Sequence, residues 1–176
     1  DGSIDSPLTT VASGGALGGT GIIQSAIING TLSPGNSIGT LTGNSFTFNA
    51  GSNLVIQLNN TTSDLVRGDP IIGTVTINAG STLNVLPQNV TQRLVPFYTI
   101  ITAPTVTTIA PFNIAPVPNF IVSAQYSSTS VILFLVSTDV APVGPCFGDL
   151  LNSGDPDAVA IFNILKWQTS KELLES

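Results

Sequence analysis

An internal repeat constrains the fold of this chain more than any other feature of its sequence. Residues 47–57 (TFNAGSNLVIQ) return at 76–86 (TINAGSTLNVL), and six of the eleven positions are identical. A shorter relative, INGTL, occupies residues 28–32, so that Ile28, Phe48 and Ile77 mark three units of unequal length. Each unit reads as a strand, an Asn/Gly corner and a second strand. Repetition at such a period is typical of a solenoid, whose units bury their apolar faces against their neighbours, and the strands predict a β-helix.

The composition fits stacked strands with neutral outer rows. Hydrophobic residues make up 42% of the chain and charged residues only 8%, far below the roughly 25% of an average soluble domain. No charged residue lies between Ser6 and Ser63 or between Leu94 and Thr138, and Ser, Thr, Asn and Gln supply the polarity instead. The longest unbroken apolar run, 131–136, is much shorter than the about 20 residues of a transmembrane helix.

Several functional classes are disfavoured by the residue types that the chain lacks. The net charge is −6 and the four basic residues are scattered along the sequence, so we expect no nucleic-acid partner. With no histidine and one cysteine, Cys146, the chain can build neither a Cys/His zinc site nor a histidine-based catalytic triad. We therefore predict a protein with no catalytic residue, no metal ligand and no cofactor. Methionine is absent, and we expect a longer precursor whose signal peptide lies outside this sequence.

Changes in pattern divide the sequence into five segments. Residues 1–21 are Gly-rich and predicted to be flexible, and residues 139–154 read as a linker. Residues 155–176 are predicted to form an α-helix that starts at Asp155 with proline at its first position. The remaining segments are about three β-helix coils at 22–87 and a β-sandwich-like or meander cap at 88–138.

Strands within the predicted coils are β-branched runs that end at turn residues. The Asn-Ala-Gly corners, the Asn29–Gly30 corner and the Pro34–Gly35 turn are predicted to provide the positive φ angles that tight bends need. The predicted coil strands are 22–28, 45–49, 53–58, 71–78 and 82–86.

The predicted cap has longer strands at 94–103, 119–126 and 131–137, with 127–129 as a hairpin turn. A proline-rich link separates the first strand from the others, and its four prolines cannot lie in a central strand. Apolar and polar positions alternate in 120–126, which predicts one packed face, whereas 131–136 is apolar throughout and is expected to be covered on both faces. The positions expected to hold the cap together are Tyr98, Ile100, Phe120, Val122, Tyr126, Leu133 and Leu135.

The segment 32–42, LSPGNSIGTLT, strongly resembles the repeat of bacterial autotransporter passengers. The stretch 98–103 (YTIITA) and the strands within 120–136 resemble the end of such passengers. The predicted helix at 155–176 resembles the segment that leads into the membrane-embedded β-barrel, which is absent from this sequence, so the likeness covers roughly residues 18–176. It implies the last coils of a right-handed parallel β-helix and the cap sometimes called the autochaperone region. Two features depart from the family pattern. Pro104 and Pro111 replace a glycine-punctuated turn, and the charged segment 63–70 is expected to leave the coil as a loop.

The resemblance also implies a function. It indicates a structural stem, displayed on the bacterial outer membrane or secreted after cleavage, whose partner is its own outer-membrane β-barrel. In this role the cap folds first and its strand edges template successive coils. Two alternatives remain open. An adhesin segment would bind host carbohydrate or protein through the neutral Thr/Asn face, and a polysaccharide-acting β-helix enzyme, less favoured, would need a cluster of carboxylates in a groove.

The candidate site residues each have a structural interpretation beside the functional one. Asp64 and Asp69 flank Arg67 and would suit acid–base chemistry or cation binding, but a solvated loop with a local ion pair is favoured. The acids at 155–157 have some likeness to a calcium-binding loop, although helix capping explains them better. Cys146 is interpreted as a packing cysteine rather than a modifiable thiol.

Overall fold

Every regular element that the computed structural model describes is a β-strand, which confirms the all-β prediction. The structure describes residues 2–90 and 97–138. The predicted linker at 139–154, the predicted helix at 155–176 and Cys146 lie outside the described residues. In chain order the strands are β1 (Gly2–Ile4), β2 (Thr9–Val11), β3 (Ala16–Gly19), β4 (Gly21–Ile28), β5 (Thr31–Pro34), β6 (Thr40–Phe48), β7 (Asn53–Leu58), β8 (Leu65–Gly68), β9 (Thr74–Ile77), β10 (Thr82–Pro87), β11 (Tyr98–Thr102), β12 (Thr105–Thr108), β13 (Asn113–Ile114), β14 (Phe120–Tyr126) and β15 (Ser130–Ser137).

The strands form two sheets in which most neighbours run parallel. The larger sheet has the order β1-β4-β6-β8-β11-β15-β14, with β2, β9 and β12 paired alongside, and the smaller has the order β13-β10-β7-β5-β3. The chain visits both sheets repeatedly, so the parallel strands fall into five levels: β1–β3, β4–β5, β6–β7, β8–β10 and β11–β13. This arrangement is compatible with a β-helix-like fold. It has more levels than the three coils that the sequence suggests.

The residues that mark the sequence repeat pair with one another on adjacent strands of the sheets. Ile28 pairs with Phe48, and Phe48 pairs with Ile77, so the three residues that mark the repeat occupy equivalent places on successive levels. Strands β7 and β10 pair with the same offset as Phe48 and Ile77, because the corners before both strands have the same length. Strands β5 and β7 pair with a longer offset than Ile28 and Phe48, because the corner before β5 is the shorter one. Corner length therefore sets the local period.

Paired positions on adjacent parallel strands point to the same face, so apolar side chains from successive levels stack in columns. Ile28, Phe48 and Ile77 are fully buried in one column, and the Phe48 ring meets the Phe112 ring edge-on, with centroids 5.4 Å apart and planes at 79°. Burial of each such side chain contributes about 1.5–3 kcal/mol, so these columns supply much of the stability. A second column joins the levels of the smaller sheet through Leu32, Leu54 and Leu83.

The Asn-Ala-Gly corners adopt the predicted geometry. Gly51 and Gly80 have φ angles of +80° and +82°, and the N–H two residues after each alanine donates to the carbonyl of Asn49 or Asn78. This is the pattern of a type II turn with glycine in third place. Gly30 differs from the expectation, because its φ is not positive. It is required for close approach instead, since a Cβ there would lie 2.3 Å from two carbonyl oxygens of the first level.

The corner asparagines also form a ladder that the sequence did not predict. Nδ2 of Asn49 donates to Oδ1 of Asn29 at 2.9 Å, and Nδ2 of Asn78 donates to Oδ1 of Asn49 at 3.0 Å. The three amides therefore join levels two, three and four at one corner. The donating N–H groups of Asn49 and Asn78 are each satisfied by the amide oxygen of the preceding level, and these hydrogen bonds favour stacking of the levels in register.

The first segment is ordered rather than flexible in the structure. Strands β1 and β2 pair in parallel with β4, and β3 pairs in parallel with β5. Gly18 serves close packing, because a Cβ there would lie 2.9 Å from the Ser33 carbonyl oxygen. Residues 2–19 thus form a level of their own, where the sequence suggested a mobile lead-in.

The charged segment 63–70 is a strand rather than the expected loop excursion. Strand β8 pairs in parallel with β6 and β11, and its Val66 is fully buried. The predicted strand at 71–78 begins later, at Thr74, because the chain first makes an exposed turn in which Ile71 is 84% accessible. The alternation of Leu65–Gly68, with Arg67 pointing outward, outweighs the turn-like appearance of its flanks.

The proline-rich link forms part of the fifth level. Strands β12 and β13 lie within it and pair in parallel with β9 and β10, so the parallel arrangement extends to residue 114 rather than ending near 88. The prolines do not interrupt these ladders because they lie between the strands. Among the described strands, antiparallel ladders join β14 to β15 and β15 to β11. The predicted hairpin turn connects β14 and β15, and in it the Ser127 N–H donates to the Ser130 carbonyl at 2.9 Å.

Candidate functional site

The antiparallel pair β14–β15, which we call the terminal hairpin, bonds to three parts of the fifth level. Strand β15 pairs with β11, and the carbonyls of Thr129 and Ser128 accept the N–H groups of Ala103 and Val106 at 3.0 and 2.7 Å. The Tyr126 hydroxyl accepts the N–H of Phe112 at 3.0 Å. The hairpin therefore takes up backbone donors that the end of a stack would otherwise leave unpaired.

The predicted cap positions lie on the packed face of this end. Four of them are buried and three are half-buried against the core, the buried ones being Tyr98, Ile100, Leu133 and Leu135. Alternation in β14 is confirmed, with outward-facing positions exposed. Strand β15 is not covered on both faces, because its outer apolar residues, such as Phe134, are only half-buried. Phe97 lies beside Phe134 with ring centroids 6.4 Å apart.

The structure separates the charged residues that the sequence places close together. Asp64 is fully buried, whereas Arg67 is exposed on β8 and makes no ion pair within the described residues. Asp69 accepts the N–H groups of Ile71 and Ile72 at 2.9 and 3.0 Å in its own loop. These bonds lower the pKa of the Asp69 carboxyl. Asp64 and Asp69 therefore each bond to backbone N–H groups, and neither forms an ion pair with Arg67 within the described residues.

Asp64 instead joins the turn before β6 to strand β7. Its Oδ1 accepts the N–H of Gly39 and its Oδ2 accepts the N–H of Gln57, both at 2.8 Å. Burial raises the pKa of this carboxyl, and the two N–H groups oppose that shift without cancelling it. The side chain fixes the turn before β6 relative to the end of β7. The sequence offered one signal of this role, an acid directly before the apolar strand β8.

A groove of about 470 Å³ includes lining residues close in sequence to this junction, and we call it the corner groove. It crosses three corners of the chain: the turn before β6, the turn after β7 and the residues after β10. The middle turn is held by Asn59, whose Oδ1 accepts the N–H groups of Thr61 and Thr62 at 2.9 Å. The Tyr98 hydroxyl donates to the Asn59 carbonyl from below. The groove is lined by Ser37, Ile38, Asn59, Asn60, Thr61, Gln88 and Asn89.

Backbone strain is concentrated at this groove. Among the described residues, Ser37, Asn89 and Asn119 are the three that have positive φ without being glycine, at 102°, 52° and 64°, and the first two line the groove. Such conformations cost about 1–3 kcal/mol each and cluster at binding sites. Sequence reasoning missed the groove because its residues come from three separate corners.

Comparisons with known proteins give no relative: no family model matches the chain, and no curated protein matches its sequence. Within residues 2–90 and 97–138 there is no group of three or more His, Cys, Asp or Glu side chains that could hold a metal ion. In the same ranges the structure contains no helix long and apolar enough to cross a membrane.

Proposed function

We propose that this chain is a non-catalytic structural stem, a short right-handed parallel β-helix closed at one end by the terminal hairpin. It would belong to a passenger protein that is displayed on the bacterial surface or secreted. One observation carries the proposal: five levels of parallel strands end in a hairpin that bonds to three parts of the last level. A solenoid used as a spacer needs such an end, because unpaired strand edges promote aggregation.

The order of folding follows from the same arrangement. Each level of a stack is stabilised mainly by its neighbours, so the first one to form bears the largest entropic cost. The terminal hairpin bears the smallest such cost, since only residues 127–129 separate β14 from β15. A formed hairpin offers the edge of β15 to β11. We propose that folding starts there, outside the cell, as the chain leaves the pore of its own β-barrel, and proceeds from level five to level one.

The opposite end supports a stem that continues. Within the described residues the outer edges of β1, β2 and β3 have no neighbouring strand. Ile4 and Leu8 at this end are 39% and 50% exposed. A further level stacked there would bury them and pair the open edges. The proposed stem is therefore open at this end, while at the other end the hairpin covers β11 and leaves the outer edges of β13 and β14 without a neighbouring strand within the described residues.

Limited proteolysis with mass mapping of the full chain tests the closed end. Leu133 is fully buried in β15, and Leu133→Asp places a charge without a partner in the core. Ile121→Asp on the neighbouring strand is the matched control, because Ile121 is 55% exposed. We expect Leu133→Asp to be digested across residues 98–138 while Ile121→Asp resists as the parent does. Equal resistance of both variants would contradict a role for the hairpin in closing the stack.

Refolding kinetics test the order of folding. Leu133→Ala is expected to lower the free energy of unfolding by about 2–5 kcal/mol. If the hairpin forms first, most of that loss should appear as a higher barrier to folding, so refolding slows. Val11→Ala in the first level is expected to accelerate unfolding and leave refolding nearly unchanged, because its contacts form last. The reverse pattern would place the nucleus at the other end and refute the proposed order.

A further inference from the structure

We propose that the corner groove is a binding site for a neutral oligosaccharide, an activity additional to that of the stem. The groove is a concave feature built from three corners that are far apart in the sequence. Two of its corners are tied together by Asp64, which bonds to Gly39, next to the lining residue Ile38, and to Gln57, two residues before the lining residue Asn59. A site held by a buried side chain between rigid strands is preorganised, which reduces the entropic cost of binding.

The lining selects the class of ligand. None of the seven lining residues carries a charge, and six of them are Ser, Thr, Asn or Gln. Neutral amides and hydroxyls each donate and accept, as sugar hydroxyl groups do. Phosphates, carboxylates and cations would gain no ion pair there. A peptide would need apolar pockets for alternate side chains, and Ile38 is the one apolar residue of the lining.

Several of these side chains are free to bind a ligand. The Ser37 hydroxyl and the amides of Gln88 and Asn89 have no hydrogen-bond partner within the described part of the chain, and all three residues are exposed. They come from the first and third of the three corners, and the corner after β7 lies between them. Strands of adjacent levels lie about 4.8 Å apart. That spacing is close to the rise of one sugar ring in an extended glycan. The three corners can therefore meet consecutive rings of one chain.

Strain at the groove provides a second, independent argument. Ser37 is held at φ 102°, a conformation that glycine would adopt at no steric cost, and Asn89 is held at φ 52°. Polar side chains at these positions reduce stability relative to glycine while they supply hydrogen-bonding groups. Stability given up at a concave site is a mark of binding function.

The test uses a variant that loses the ligand groups without harming the fold. Ser37→Gly combined with Asn89→Gly keeps both backbone conformations and removes the hydroxyl and the amide. The matched control is Asn119→Gly, the third strained position, which lies outside the groove at φ 64°. Both variants are expected to unfold at the same or a higher urea concentration than the parent.

The probes are cellotetraose, maltotetraose and N-acetylchitotetraose, each titrated into the full chain and followed by NMR shifts of the groove amides. A neutral tetrapeptide and a sulfated disaccharide serve as comparison ligands. We expect at least one neutral tetrasaccharide to bind with a Kd of about 1 mM, since the groove has no aromatic platform. The Gly double variant should weaken that binding at least tenfold, and Asn119→Gly should leave it unchanged.

Three results would overturn the inference: no shift with any neutral tetrasaccharide, equal binding by the double variant, or preference for the peptide or the sulfated sugar. None of these results bears on the stem, which is tested by proteolysis and refolding of variants at the terminal hairpin. The two proposals can therefore fail separately.

Discussion

Removal of the middle rung of the asparagine ladder should reveal how far corner side chains stabilise the stack. In Asn49→Ala the side chain that donates to Asn29 and accepts from Asn78 is lost, so two hydrogen bonds disappear. Each such bond is worth about 0.5–1.5 kcal/mol net, and the corner is half-buried. We expect a loss of about 2 kcal/mol. Asn78→Ala breaks one bond of the ladder and should cost about half as much.

The double variant separates ladder energy from other effects of truncation. In Asn49→Ala with Asn78→Ala, the bond between the two residues is counted once, so the double variant should lose about 1 kcal/mol less than the sum of the single changes. Urea unfolding of each variant, followed by far-UV circular dichroism, gives the four free energies. Asn36→Ala is the control, because Asn36 is exposed and makes no side-chain hydrogen bond within the described residues. It should change stability by less than about 0.5 kcal/mol.

A particular outcome would refute this reasoning. If the effects of Asn49→Ala and Asn78→Ala simply add, the amide–amide bond contributes no coupling energy. The ladder would then be a consequence of the register that the apolar columns impose. If Asn49→Ala matched the control, the corner would owe its stability to the type II turn alone.

Three further predictions concern a buried acid, a turn and the core. The raised pKa of Asp64 makes its contribution to stability fall as pH rises from its ordinary value of 3.8 through the raised value, whereas the lowered pKa of Asp69 gives a contribution that is lost on acidification. The free energy of unfolding should be measured at about pH 3 and 7 for the parent and each variant. The difference between the parent and Asp64→Asn should shrink as pH rises, whereas the difference between the parent and Asp69→Asn should grow. If both differences changed in the same direction, the assignment would be contradicted. Gly51→Ala should cost about 1–2 kcal/mol in a urea melt, because φ is +80° although the space around a Cβ is open, and the open, unstrained Gly2→Ala serves as the neutral control. Phe48→Ala should cost about 3–5 kcal/mol by the same assay, and a loss below about 1 kcal/mol would mean that the column is not the core.

The candidate sites were only partly predictable from the sequence. The hairpin and its packed face follow from local alternation, and the predicted positions such as Leu133 lie in the core. Asp64 was interpreted as a solvated loop residue, because nothing local reveals that the N–H groups of Gly39 and Gln57 converge on it. The corner groove depends on three corners meeting, and no property of each corner alone predicts that meeting.

The sequence by itself determined the strands that alternate most clearly, such as β4, β7 and β10, the glycine corners, and the register between the third and fourth levels, which the repeat of 47–57 at 76–86 marks. These features depend on side-chain alternation and on φ preferences, which act over a few residues. Tertiary structure decided that residues 2–19 and 98–114 are full levels, that β8 is a strand, and that one acid fixes two loops. Those outcomes depend on which backbone groups and apolar faces a neighbouring level offers. Because the corners differ in length, a pattern of fixed period in the sequence cannot identify which segments become neighbours. Their contacts are defined only in the assembled stack.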